Sequence, residues 1–245
     1  EYEALARALA ADERKGVKAA LKSAARRFAA EDAEAARLEG MYSFQAKLAG
    51  GGIAVGLDEV GRGPVAGPLA IGAVVLPDDP RVEGVNDSKQ LSAERREEIA
   101  AVVREVAIAW DIEYIQPQEI DEHGMTWALR MANLRAIAAI EEQLSAKGAS
   151  LDAVLLDGNA QHLDAREVNI VKGDGKCASI AAASIIAKVD RDALMCRYAE
   201  RFPHYGFESN KGYASAEHIE AIKQYGLSPV HRASFCRAWT QETLF

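Results

Sequence analysis

Three short, largely apolar runs in this chain each deliver a carboxylate where they end. Ile53–Leu57 leads straight into Asp58 and Glu59, Val154–Leu156 into Asp157, and Val168–Val171 into Lys172-Gly173-Asp174. Runs this short and hydrophobic read as central β-strands, and the ends of such strands are where α/β folds place ligands. Acids converging there would repel one another unless a cation neutralised them. Hard oxygen ligands without neighbouring His or Cys select Mg2+ or Mn2+, the ions of phosphoryl-transfer chemistry. Any one of these acids reads more simply as a turn residue, since Asp157-Gly158 and Gly173-Asp174-Gly175 are common turn sequences. Their repetition at strand ends tips the reading towards metal binding.

The remaining pattern sets the fold class. Leu69–Leu76 is a second strand, close enough to the first for a hairpin. Ser92 caps a helix running to about Val103, Val106–Ile115 is a strand, and a long helix spans Thr126–Ala146, ended by Lys147-Gly148. Ser179–Arg201 is a helix whose first half is small and apolar, and Ala216–Tyr225 is another. Hairpin strands followed by β-α-β predict an α/β fold, a mixed sheet covered by helices on both faces. Residues 1 to about 47 read as helix throughout, with Val17, Leu21, Ala24 and Phe28 opposite Lys15, Lys18, Lys22 and Arg26. Ala49-Gly50-Gly51-Gly52 reads as a flexible joint. The expected organisation is a helical extension over 1–49, a catalytic domain over 50–240 and a short tail over 241–245.

Charge narrows the partners. With 37 acidic against 29 basic residues the net charge is −8, which argues against a generally basic nucleic-acid-coating protein but not against a localised surface. Residues 13–27 carry six basic side chains and one acidic, a face that grips duplex or is simply solvated. The longest uncharged stretch, Gly63–Pro77, has 15 residues and is too short for a membrane helix. The start lacks a signal-peptide pattern and an initiating Met, as in a trimmed chain. Three cysteines without CxxC spacing fit a reduced, cytoplasmic protein.

Gly61-Arg62-Gly63-Pro64-Val65-Ala66-Gly67 follows the acid pair. Glycines let the backbone approach a ligand so that N–H groups reach a phosphate or hydroxyl. The spacing is not a dinucleotide fingerprint, and there is no GK[ST] of a Walker loop. A Gly-Pro turn joining two strands is the plainer alternative.

At this point the motifs resemble a known family. Asp58-Glu59-Val60-Gly61-Arg62-Gly63-Pro64, Asn86-Asp87-Ser88-Lys89, Asp157-Gly158-Asn159, Lys172-Gly173-Asp174, Ala182–Val189, Lys211-Gly212-Tyr213 and His231-Arg232-x-Ser234-Phe235 are similar, in content and order, to ribonuclease HII. The resemblance covers about residues 53 to 237. It implies an RNase H-like fold and a monomeric endonuclease, with Mg2+ or Mn2+, that cuts the RNA strand of RNA–DNA hybrids. Single ribonucleotides in duplex DNA are included, cut on the 5′ side to leave a 5′-phosphate and a 3′-hydroxyl. Such an enzyme removes misincorporated ribonucleotides and RNA primers.

Carried over by motif, the metal ligands are Asp58, Glu59, Asp157 and Asp174. Gly61, Arg62, Gly63 and Tyr213 would sense the ribose, and Asn86, Ser88, Lys89, Ser184 and Lys188 would contact phosphates. His231 has a structural hydrogen-bonding role, and Asp190 and Asp192, rival acids at the end of a helix, read more simply as a solvated face or as salt-bridge partners. The final Gln241-Glu242-Thr243-Leu244-Phe245 is similar to the peptide by which bacterial replication proteins bind the sliding clamp, through Gln241, Leu244 and Phe245. Two alternatives stay open: an RNase H-like module that holds hybrid without cutting, and the related ribonuclease HIII, from which the helical N-terminal segment distinguishes this chain.

Overall fold

The computed structural model describes residues 2–240. These form two compact units, one up to Gly40 and one from Met41 onward. In the first, α1 (Tyr2–Ala8) and the start of α2 (Lys15–Leu48) are separate helices, so the expected unbroken helix is interrupted at residues 9–14. The cause is local. Asp12 accepts from both the amide and the guanidinium of Arg14, an alternative to helical bonding that short acidic side chains offer. The Tyr2 ring lies 4.8 Å from Phe28, and its hydroxyl donates to the Leu21 carbonyl. The apolar stripe of α2 is accordingly half-buried, and Lys15, Lys18, Lys22 and Arg26 are exposed.

The second unit begins inside α2, where Met41, Tyr42 and Gln45 are buried. The helix closes in a hydrogen-bonded turn, Gly51 N–H to Ala46 O, with Gly50 and Gly51 at positive φ, the helix-ending geometry that glycine permits. A five-stranded mixed sheet follows in the order β3-β2-β1-β4-β5. Its strands are β1 (Ala54–Val60), β2 (Leu69–Val75), β3 (Ala109–Ile115), β4 (Ala153–Asp157) and β5 (Glu167–Ile170). β1 runs antiparallel to β2 and parallel to β4, as the hairpin and the later β-α-β pattern require. Helix α3 (Ala93–Val106) starts at Ser92, whose hydroxyl accepts from the Arg95 amide. α4 (Pro117–His123) escaped the sequence reading although Pro117 at its first turn and the Gln116/Glu119 capping box mark its start. The long helices α5 (Met125–Ala146) and α6 (Ala178–Arg201), then α7 (Phe207–Asn210), α8 (Ala216–Tyr225) and α9 (Arg237–Thr240), complete the order.

α6 sets the geometry beneath the site. Residues Ala178–Ala187 are all buried, and small side chains let the helix lie almost on the sheet. A Cβ added at Gly72 of β2 would collide with the Ala183 carbonyl oxygen, and one at Gly56 of β1 with the Ile180 nitrogen. The start of α6 has no cap from its own Cys177. Instead the Gln45 side chain accepts from the Ser179 amide at 2.9 Å, so the end of α2 caps the helix that underlies the sheet. Among the described residues no helix is long and apolar enough to cross a membrane.

Candidate active site

Three of the four acids do not follow their strands but lie within them. β1 continues through Asp58 and Glu59 to Val60, where Asp58 pairs with Gly72 and Glu59 with Ile71; β4 includes Asp157. Sheet pairing thus fixes the backbone beneath three of the four carboxylates. The parallel register Leu57 to Leu156 sets Asp58 and Asp157 on adjacent strands at the next position. Asp174 sits in a single turn of 3-10 helix after β5, tied in by the Gly173 amide, which donates to the Asp157 carboxylate at 2.6 Å.

Neighbours along a strand point to opposite faces, and the acid pair divides accordingly. Asp58 is buried on the α6 side, where the Ser184 hydroxyl bonds its carboxyl. Glu59 lines an open depression on the α5 side with Asp157, Asn159, Gln161, Arg62 and Arg130. Burial first, then the charges of Glu59, Asp157 and Asp174, push the Asp58 carboxyl up to about 8. Burial also raises Glu59, against the pull of Arg62. It raises Asp174 too, with Asp87 and Asp157 adding to the effect. Only Glu59 has an ion-pair partner among the described residues, Arg62 at 3.6 Å. Three carboxyls are therefore held above their ordinary range in a cluster short of positive charge.

The donor set is all oxygen, which fits a hard divalent cation. Among the described residues no three His, Cys, Asp or Glu side chains are grouped so that they could hold an ion on their own. Mg2+-like ions keep several waters and bind through one or two carboxylates plus substrate phosphates rather than in all-protein cages.

The other expected residues fall into four groups. Ser88 and Ser184 are buried beneath Asp58 with their hydroxyls 3.0 Å apart, and Arg96 donates to the Ser88 carbonyl. Lys89 is exposed and, with Asp87, close enough to act on Asp174. Asn86 bonds the Asp87 amide, so the 86–89 loop borders the Asp174 side of the cluster. Lys188, one turn beyond Ser184, is ion-paired to Asp192 at 2.8 Å, and Asp190 pairs with Arg104. At the opposite border Gly63 and Tyr213 adjoin: a Cβ on Gly63 would stand 3.7 Å from the Tyr213 ring, and that ring is half exposed. Gln241, Leu244 and Phe245 lie outside the described residues.

Sequence reasoning missed what holds these borders. Arg191 and Arg232, both buried, donate only to backbone carbonyls around residues 61–68 and 211. His231 is hydrogen-bonded as expected, but its partner His218 was not foreseen: their Nε2 atoms are 3.0 Å apart, and His218 Nδ1 bonds the Tyr213 carbonyl. Burial, then His218, lowers His231 to about 4, and burial lowers His218 as well. Arg232 stood in a recognised motif, whereas Arg191 in Asp190-Arg191-Asp192 has the pattern of a solvated surface, where arginine is usually found.

The family model of Ribonuclease HII matches residues 55–238, and that of the Ribonuclease HII N-terminal domain matches residues 1–49. The chain is 43% identical over 212 residues to Ribonuclease HII of Ruminiclostridium cellulolyticum, covering 86% of this chain and 81% of that protein. It is similar to RNase HII of Archaeoglobus fulgidus, solved in a PCNA:RNase HII complex, with a TM-score of 0.63 and 29% identity over 78% of this chain and 98% of that one. Bst-RNase HIII, solved with Mn2+, shares the fold at a TM-score of 0.62 and 21% identity, over 79% of this chain and 71% of that one.

Proposed function

The chain belongs to the ribonuclease HII family and is an endonuclease that cuts RNA in RNA–DNA hybrids; from that premise we propose how its residues do so and which hybrids it cuts. The proposed substrate is duplex DNA holding as little as one ribonucleotide, as well as longer hybrid, incised on the 5′ side of the ribonucleotide to leave a 5′-phosphate and a 3′-hydroxyl. Its role is removal of misincorporated ribonucleotides and of RNA primers.

The observation that carries the reading is Asp58, a buried carboxyl pushed up to about 8 amid Glu59, Asp157 and Asp174. Bringing a divalent cation beside such a group favours its ionised form. Asp58, Glu59, Asp157 and Asp174 are the proposed ligands of Mg2+ or Mn2+; the Mn2+ bound by Bst-RNase HIII supports a divalent ion. A pair of such ions would activate the attacking water and stabilise the leaving oxygen.

The chain's own groups do the rest. Ser184 holds the Asp58 carboxyl in place, and the Gly173 amide does the same for Asp157. Lys89, exposed beside Asp174, meets a phosphate of the strand. Tyr213 offers its ring to a sugar and its phenol to the 2′-hydroxyl, across from the amides of Gly61, Arg62 and Gly63. The tail, through Gln241, Leu244 and Phe245, is proposed to bind a sliding clamp, which the PCNA complex of the Archaeoglobus relative supports.

The decisive experiment compares cleavage of a duplex with one embedded ribonucleotide and of an all-RNA hybrid, each in Mg2+ and in Mn2+. Both are expected to be cut, the first on the 5′ side of the ribonucleotide. Full turnover by Asp58→Asn in saturating metal would overturn the ligand assignment.

A further inference from the structure

The loop after β1 is held from inside by two guanidinium groups. Arg232 donates to Gly61 O at 2.6 Å, Arg62 O at 3.1 Å and Gly67 O at 2.8 Å. Arg191 donates to Pro68 O at 2.9 Å, Ala66 O at 3.2 Å and, across the gap, Lys211 O at 3.0 Å. Both arginines are at most 1% exposed, and neither makes an ion pair among the described residues. Charge-assisted bonds to neutral carbonyls are strong and directional, so these donors fix the orientation of each peptide they meet.

That orientation has a chemical result. In a planar trans peptide the C=O and the following N–H point to opposite sides. Turning the Gly61 carbonyl inward onto Arg232 therefore turns the Arg62 N–H outward, and turning the Arg62 carbonyl inward turns the Gly63 N–H outward. Arg62 and Gly63 are exposed, and neither amide donates to any acceptor among the described residues. Two consecutive outward amides make a receptor for an oxygen atom. It opens beside the Tyr213 ring, which Gly63 adjoins.

We propose that Arg232 is a specificity-determining positioning residue: its guanidinium sets the Gly61–Arg62 and Arg62–Gly63 peptides so that their two N–H groups donate to an oxygen of the ribonucleotide. This rests on the reading that the glycine loop and Tyr213 face the ribose. The oxygen is the 2′-hydroxyl and not a neighbouring phosphate oxygen, and the substrate pair separates the two. Only the first is missing from an all-DNA duplex.

The test measures binding in Ca2+ of a duplex with one embedded ribonucleotide and of the same duplex all in DNA, for the full chain and for Arg232→Lys. Lysine keeps the charge but cannot span both carbonyls. The expected result is a loss of about tenfold or more in the preference for the ribonucleotide, with affinity for the all-DNA duplex unchanged. A preference equal to that of the unsubstituted chain overturns the proposal, and so does a parallel loss on both duplexes, which marks a phosphate contact or a general loosening. Should the lysine variant not fold, Arg232→Gln, which buries no charge, is read by the same outcomes. Amide NMR of the unsubstituted chain tests the underlying reading apart from Arg232. The Arg62 and Gly63 signals should shift with the ribonucleotide duplex and not with the all-DNA one; if they respond to neither, the loop does not face the ribose.

Discussion

The hydroxyls of Ser88 and Ser184 stand 3.0 Å apart in the buried floor of the acidic cluster, and Ser184 also bonds the Asp58 carboxyl. The bond favours the ionised acid and opposes the burial that raises it to about 8. Ser184→Ala should therefore raise the Asp58 carboxyl further and move the acid limb of the pH profile of kcat/KM to higher pH at fixed divalent-ion concentration. A limb that stays in place would show that Ser184 does not act on Asp58.

Asp58 itself should trade stability for function. Its carboxyl lies at about 8 in the folded chain against 3.8 in a free side chain. The folded state thus holds a proton that the unfolded state releases, and the associated stability is full below about 4 and lost as pH rises through about 8. In a chelator, Asp58→Asn should melt higher than the unsubstituted chain, by a margin that widens between these limits and then stays constant. Its cleavage rate should fall by about 10²-fold or more. Melting curves across pH check the first, and a single-ribonucleotide substrate the second.

Truncations should separate the two parts of α2. Cutting after Gly40 leaves Met41, Tyr42 and Gln45 in place. Cutting after Gly50 removes three buried side chains, and with them the bond from the Val82 amide to the Tyr42 hydroxyl and the Gln45 cap on α6. The second deletion should cost about 4 kcal/mol more than the first, a melting difference of roughly 8 to 16 °C. Equal melting of the two would show that residues 41–50 contribute no such support.

Two glycines in regular elements should respond oppositely to alanine. At Gly56 the new methyl meets backbone of α6, which cannot yield, so Gly56→Ala should destabilise by about 3 kcal/mol. At Gly40 nothing lies within 4 Å and the residue is helical, so Gly40→Ala should stabilise by about 1 kcal/mol. Urea denaturation of both variants checks the pair.

Much of this architecture was legible because the relevant physics is local. Period, capping and turn residues located every strand, the start of α3 and the ends of α5, α6 and α8, for Ser92, Gly148 and the small residues after Cys177 each act within a few positions. The acids stood out for the same reason, each closing an apolar run. What stayed hidden depends on partners far along the chain. Nothing near Asp190-Arg191-Asp192 distinguishes a buried arginine from a solvated one until Pro68 and Lys211 are brought to it, and Gln45 looks like any helix-surface residue until Ser179 arrives. Ser88 and Ser184 fitted the pattern of surface phosphate contacts, and only the close approach of α6 to the sheet puts them below Asp58. The break at residues 9–14 is the opposite case, a local Asp12–Arg14 bond that helix propensity summed over 47 residues conceals.

The buried guanidiniums also separate two properties that nucleic-acid enzymes usually surrender together. Exposed cations such as Lys89 are screened by mobile ions, so hold on the phosphate backbone weakens as ionic strength rises. Arg191 and Arg232 face carbonyl oxygens where such ions do not reach, and the shape they impose on the Gly61–Pro68 loop is indifferent to the medium. In concentrated electrolyte the enzyme should release its duplex sooner than it confuses ribose with deoxyribose.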